Sequence, residues 1–68
     1  MEITCTVNGI VRHLNSGGTV SDLLNTMNLR GQKIAVEKNG IIVPQSRHQN
    51  ECLHNGDVIE IVTAVGGG

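Results

Sequence analysis

The sequence has 68 residues, with five Lys and Arg against six Asp and Glu and a formal net charge of −1. This balance lacks the basic excess of a nucleic-acid-binding protein, and Phe, Trp and Tyr, on which single-stranded bases stack, are absent. No apolar run exceeds three residues, whereas a membrane span needs about 20. We therefore expect no nucleic-acid partner and no membrane partner.

The length predicts a single small domain. A chain this short buries only about 60% of the surface that its unfolded form exposes, which leaves little room for a deep active site. The composition therefore favours a carrier, an adaptor or a subunit over a free-standing enzyme.

The first third of the sequence predicts a β-hairpin. Apolar and polar residues alternate from Glu2 to Val7, as in a half-buried strand. Asn8-Gly9 is typical of a type I′ turn, and the second strand is predicted from Ile10 to Leu14. In this register Arg12 interrupts one apolar face, and its head is expected to stay in water. The face comprises Ile3, Cys5, Val7, Ile10 and Leu14.

A helix is predicted from Val20 to Asn28. Thr19 is its N-cap, and Asp22, three residues later, completes a variant of the capping box. Asn28 and Gly31 offer termination, since both tolerate a left-handed conformation. The apolar stripe that follows the cap consists of Val20, Leu23, Leu24 and Met27.

The rest of the chain predicts three more strands, at Ile34–Lys38, Ile41–Val43 and Val58–Thr63, with a turn at Asn39-Gly40 and Leu53 tucked beneath a polar loop. One helix covers only one face of a sheet, so the predicted fold class is α+β: a ubiquitin-like β-grasp with a mixed sheet of four to five strands. The last strand is expected parallel beside the first. The predicted core is Ile3, Val7, Leu23, Leu24, Met27, Val36, Ile59 and Ile61.

The cysteines and histidines predict no disulfide framework and no metal site. Cys5 lies within the first strand and is expected to be a buried thiol, whereas Cys52 lies in a polar stretch. His13, His48 and His54 lack metal-ligand spacing and are expected at the surface. No basic-then-apolar leader opens the sequence, so a reduced, cytoplasmic protein is predicted.

Three glycines, Gly66, Gly67 and Gly68, end the sequence. Without Cβ atoms they could pass through a narrow cleft and take the backbone angles it demands. From Ala64 to Gly68 the extended reach is about 15 Å. We predict a domain over residues 1–65 and a flexible tail over 66–68 that reacts at Gly68 and threads at Gly66 and Gly67. A simple flexible end or a cloning remnant is the alternative.

The last strand predicts a docking surface. Ile59 and Ile61 point one way, and Val58, Glu60 and Val62 the other; the charge of Glu60 assigns the second group to the exposed face. Val62, with Val11 and Ala64, is predicted to dock partner proteins. An incidental half-buried sheet surface is the alternative.

The whole sequence resembles the small ubiquitin-like sulfur carriers of thiamine biosynthesis. The resemblance is carried by Ile34-Ala35-Val36 with Asn39 and Val43-Pro44, by Leu53 with Gly56-Asp57, by Ile59–Val62 running to Val65–Gly68, and by Asn8-Gly9 and Thr19-Val20 with Leu23-Leu24. One departure is His48, at a position that is often aromatic in that family.

The resemblance implies a carrier and not an enzyme. A ubiquitin-activating-like adenylyltransferase would consume ATP to adenylate the Gly68 carboxylate, and no cofactor would be bound. Sulfur, drawn indirectly from a cysteine desulfurase, would leave a thiocarboxylate that thiazole synthase accepts. Three alternatives stay open: the sulfur-carrier subunit of molybdopterin synthase or of another sulfur pathway, a ubiquitin-like protein modifier, and an interaction module with an inert tail.

Overall fold

The computed structural model describes residues 1–29 and 33–63, and within these ranges the chain forms five strands and one α-helix. The elements are β1 (Glu2–Val7), β2 (Ile10–Asn15), α1 (Val20–Thr26), β3 (Ile34–Lys38), β4 (Ile41–Val43), a 3₁₀ turn (Gln45–Arg47) and β5 (Val58–Thr63). The sheet order is β2-β1-β5-β3-β4, with β1 and β5 parallel and the other pairs antiparallel. The predicted β-grasp fold, including the parallel placement of the last strand, is confirmed.

Both Asn-Gly pairs form the predicted tight turns. Asn8 and Gly9 have φ angles of 51° and 81°, and Asn39 and Gly40 have 54° and 83°. Two consecutive positive φ values define a type I′ turn, whose twist matches that of the strands it joins. The first turn sets the predicted register, which pairs Val7 with Ile10.

The helix begins as predicted and ends two residues earlier. The Asp22 N–H donates to Thr19 Oγ1 (3.2 Å), and the Thr19 N–H donates to Asp22 Oδ2 (2.9 Å), which completes the capping box. Asn28 has a φ of 59° and lies just beyond the last helical turn. The Leu29 N–H then donates to the Leu24 carbonyl (2.9 Å), closing a Schellman-type end. Gly31, the other predicted stop, lies outside the described residues.

The core lies between α1 and one face of the sheet. Six of the eight predicted core residues are buried, while Ile3 and Met27 are only partly buried against the cluster. Ile10 contradicts the predicted hairpin face, because it lies next to the turn at the end of the sheet and is 63% exposed. The buried cluster comprises Cys5, Val7, Val20, Leu23, Leu24, Val36, Val43, Leu53, Ile59 and Ile61.

His48 corrects the prediction that all three histidines lie at the surface. The 3₁₀ turn after Pro44 brings the chain back, so that His48 is buried and its Nε2 lies 3.0 Å from the Val43 carbonyl oxygen. A flat ring with one satisfied polar atom fills this interior position. Arg12 also differs from expectation, since its Nε is buried without a hydrogen-bond partner among the described residues. In the same ranges, the helix is too short to cross a membrane.

Candidate docking face and reactive segment

The central strand β5 has two chemically different faces. Ile59 and Ile61 are 0% and 7% exposed and lie in the core, whereas Val58 and Val62 are 46% and 66% exposed. The predicted assignment of the two faces is therefore confirmed. Residues 64–68 follow β5 directly in the sequence, so the strand that carries this exposed face precedes the glycine segment.

Asn8 continues the sheet beside β5 after β1 has ended. The Ile61 N–H donates to Asn8 Oδ1 (2.7 Å), and Asn8 Nδ2 donates to the Ile61 carbonyl oxygen (3.1 Å). The side-chain amide of Asn8 thus forms the two hydrogen bonds that the backbone of a longer β1 would form with Ile61. These bonds, with the Val36 pairing on the other side, fix the backbone two residues before β5 ends.

Asn39 performs a similar task at the start of β5. Its Oδ1 accepts from the Val58 N–H (2.9 Å), and its Nδ2 donates to Oδ1 of the buried Asp57 (2.9 Å). The other carboxylate oxygen of Asp57 accepts from the His54 N–H (2.8 Å). Burial alone would raise the pKa of Asp57, but these hydrogen bonds, with the charge of Lys38, hold the pKa below its ordinary value.

The open face of the sheet, opposite the helix, carries both apolar and acidic side chains. Val11, Thr6 and Val58 form one row across β2, β1 and β5. The next row across β4, β3 and β5 is Ile42, Glu37 and Glu60. Ala35 and Val62 form the row nearest the end of β5. Two glutamates therefore lie directly opposite each other, with valines before and after them along β5.

The predicted docking residues share this face but do not form one cluster. Val11 is 59% exposed and lies two strands from Val58, which is about 10 Å at the usual strand spacing. Val62 is four residues further along β5, roughly another 13 Å. Ala64, Gly66, Gly67 and Gly68 lie outside the described residues. The sequence did not predict that the side chains of Asn8 and Asn39 form hydrogen bonds with β5. The turns alone already account for asparagine at both positions, so nothing pointed to a second role.

Other chemistry in the described ranges is structural. Cys5 is buried, its Sγ donates to the His54 carbonyl (3.3 Å), and its pKa is raised by burial and by the charge of Asp57. Both cysteines are free. No group of three His, Cys, Asp or Glu in these ranges could hold a metal ion.

Among the residues that the structure describes, a cleft of about 170 Å³ lies at the start of the helix, lined by Leu14, Thr19, Asp22 and Leu53 among others. It is small for an organic ligand, whose pockets usually span roughly 300–1,000 Å³. Two of its polar groups, Thr19 Oγ1 and Asp22 Oδ2, are already engaged in the capping box. The open face of the sheet is therefore the stronger candidate for function.

A five-stranded mixed sheet on one helix, with an exposed face that leads into a glycine segment, defines a small ubiquitin-like β-grasp domain. The sequence pattern of the ThiS family matches residues 5–68. The chain therefore belongs to the ThiS family.

Individual relatives agree with this assignment. A sulfur carrier protein ThiS of Bacillus subtilis is 43% identical over 51 residues, covering 75% of this chain and 77% of that protein. A crystal structure of the thiamine biosynthesis protein ThiS of Geobacter metallireducens superposes with a TM-score of 0.79 at 25% identity, covering 97% of this chain and 100% of that one. A thiazole synthase of Paramagnetospirillum magneticum is 39% identical over 62 residues. Those residues are 91% of this chain but only 19% of that relative, so the chain spans about a fifth of its length.

Proposed function

We propose that this protein is a sulfur carrier of thiamine biosynthesis and that Gly68 is its reactive residue. The observation that carries the proposal is the match of the ThiS family to residues 5–68, a range that includes the glycine segment. The Bacillus subtilis relative, a sulfur carrier protein, supports the same function. In this role the protein is a co-substrate that is regenerated in each cycle.

The chemistry requires an activated carboxylate. An adenylyltransferase joins the Gly68 α-carboxylate to the AMP portion of ATP and releases pyrophosphate, because a free carboxylate is a poor acyl donor. A hydrosulfide equivalent, supplied indirectly by a cysteine desulfurase, then attacks the acyl carbon and displaces AMP. The resulting thiocarboxylate is a soft nucleophile that transfers sulfur to a thiazole synthase. Gly66 and Gly67 carry no side chain to obstruct a narrow cleft.

The folded domain would dock while the glycine segment reacts. Val62 and Val11 are exposed on the open face, and Ala64 follows β5 in sequence, so we place the docking surface there. A thiazole synthase as a partner is supported by the relative of that name, one segment of which is similar to almost the whole of this chain. Carrier, adenylyltransferase and synthase would meet in the cytoplasm, where free thiols persist.

Intact-mass measurement tests the proposal. The full chain is incubated with ATP, the adenylyltransferase and sodium sulfide. We expect a mass gain equal to the exchange of one oxygen for one sulfur, located at Gly68 by fragmentation. No gain with an enzyme that loads the Bacillus relative would contradict the proposal.

Two variants separate threading from folding. Deleting Gly68 should abolish loading, and Gly67→Val should slow it severely, because a β-branched side chain obstructs the cleft. Both proteins should melt like the parent, since neither change removes a side chain from the buried cluster. Normal loading of Gly67→Val would refute the threading role.

A further inference from the structure

The cross-strand pair of Glu37 and Glu60 is an electrostatic feature that folding does not explain. The two residues are direct partners in the antiparallel pairing of β3 and β5, and both are exposed on the open face. Like charges directly opposite each other on a sheet destabilise it. In residues 1–29 and 33–63 the acidic side chains that contact a Lys, Arg or His side chain form the pairs Glu2–His13, Lys38–Glu51, Arg47–Glu51 and Asp57–His54, and none includes Glu37 or Glu60.

The surroundings of the pair are apolar. Ile42 lies beside Glu37 in the same row and is 68% exposed, and Val58 and Val62 precede and follow Glu60 on the same face of β5. Large exposed apolar side chains grouped on one face are typical of a protein-binding patch. Because charged residues are depleted at the centre of such patches, two acidic side chains there need a partner of opposite charge when the patch is covered. A partner that covers it would exclude water and strengthen any charge interaction at its centre.

We infer that this face docks on a surface of the adenylyltransferase that presents an arginine between Glu37 and Glu60, bordered by apolar side chains. The inference rests on the proposed function, because it names the chemistry of the partner that the carrier meets first. A guanidinium group has five N–H donors in a planar fork and can bond to two carboxylates at once. The partner's positive charge removes the repulsion that the free protein tolerates. Since β5 continues into residues 64–68, the same contact also directs the glycine segment toward that enzyme.

Charge-neutral and charge-reversing variants test the inference through two measurements, the melting temperature and the affinity for the adenylyltransferase. The inference expects the first to rise and the second to fall. E37Q/E60Q removes the repulsion, and E60K replaces it with a cross-strand ion pair to Glu37. Both variants should melt at a higher temperature than the parent, yet bind the adenylyltransferase at least tenfold more weakly. E2Q is the matched control, because Glu2 is an exposed glutamate at the far end of β1, and it should bind within about twofold of the parent.

The binding measurement uses the full chain labelled at the exposed thiol of Cys52, titrated with the adenylyltransferase at two salt concentrations. The salt dependence of the dissociation constant should be smaller for E37Q/E60Q than for the parent. Unchanged affinity of E37Q/E60Q, or a lower melting temperature with weaker binding, would overturn the inference while leaving the sulfur-carrier proposal intact. A parent protein that neither binds nor is loaded with sulfur would overturn the proposed function and this inference together.

Discussion

The two Asn-Gly turns have the same sequence and nearly the same backbone angles, yet they hold different parts of β5. The turn at Asn39 lies at the start of the strand, where its amide bonds to Val58 and to the buried Asp57. The turn at Asn8 lies toward the other end, where its amide bonds twice to the backbone of Ile61. One turn is coupled to a buried charge, and the other is coupled only to neutral backbone.

This difference indicates a division between stability and function. The Asn39 contact belongs to a group with Asp57, His54 and Lys38 that anchors the chain before β5. The Asn8 contact supports the stretch from which the glycine segment continues. Each asparagine side chain forms hydrogen bonds with polar groups of β5 that lie beyond the end of the neighbouring strand. Glycine at either position could adopt the same backbone conformation as the asparagine.

Asn39→Gly should have the largest effect. It preserves the turn but removes the amide, so that the Val58 N–H and the buried carboxylate of Asp57 each lose a partner. Because a hydrogen bond to a charged group contributes about 1.5–3 kcal/mol and a neutral one about 0.5–1.5, the free energy of unfolding should fall by roughly 2–4.5 kcal/mol. Urea denaturation measures this fall. A loss below about 0.5 kcal/mol would show that water replaces the amide.

Asn8→Gly should destabilise less, by about 1–3 kcal/mol, because both lost hydrogen bonds are neutral. The amide of Ile61 should exchange its hydrogen faster, and sulfur loading of Gly68 should slow beyond what the lost stability explains. Asn8→Asp is the matched variant, since it keeps an acceptor for the Ile61 N–H but puts a carboxylate oxygen in place of the donor to the Ile61 carbonyl oxygen. Equal loading rates for Asn8→Gly and the parent would remove the functional half of the comparison.

The acid limb of the stability curve should distinguish the two turns. The pKa of Asp57 lies below its ordinary value of 3.8 in the folded protein. The ionised Asp57 carboxylate therefore contributes fully to the free energy of unfolding at pH values above that ordinary pKa. This contribution is lost as the pH falls through the lower pKa of the folded protein. Asn39→Gly removes a hydrogen bond that lowers the pKa, so its acid unfolding should begin at higher pH. Asn8→Gly should keep the parent's dependence on pH in melting experiments from about pH 7 downward through the ordinary pKa range of a carboxyl group. Parallel acid limbs for both variants would contradict the assignment of Asp57 to the Asn39 group.

Sequence patterns predicted most of the fold because its signals are local. Asn8-Gly9 fixes a hairpin register, Thr19 and Asp22 fix the start of the helix, and alternation assigns the two faces of β5. The burial of His48 was not predictable from its polar neighbours, since it depends on the 3₁₀ turn after Pro44; its place at an often aromatic position was the available signal. The contacts of Asn8 and Asn39 with β5 join residues far apart in sequence, and no short-range pattern records them.

Val62→Asp should have the smallest effect on stability and a large one on docking. Ile61 and Val62 are adjacent, and the backbone that Asn8 holds puts the first in the core and the second in water, at 7% and 66% exposure. A charge at the exposed position should change the free energy of unfolding by less than about 1 kcal/mol, the range of strand propensities. The same substitution puts a carboxylate where the partner is inferred to present apolar side chains around its arginine, so affinity for the adenylyltransferase should fall. Ile61→Asp is the control and should not fold, because it buries an unpaired carboxylate. If Val62→Asp unfolds as well, side-chain direction at this end of β5 is not fixed by the Asn8 contact, and the proposed docking face ends before Val62.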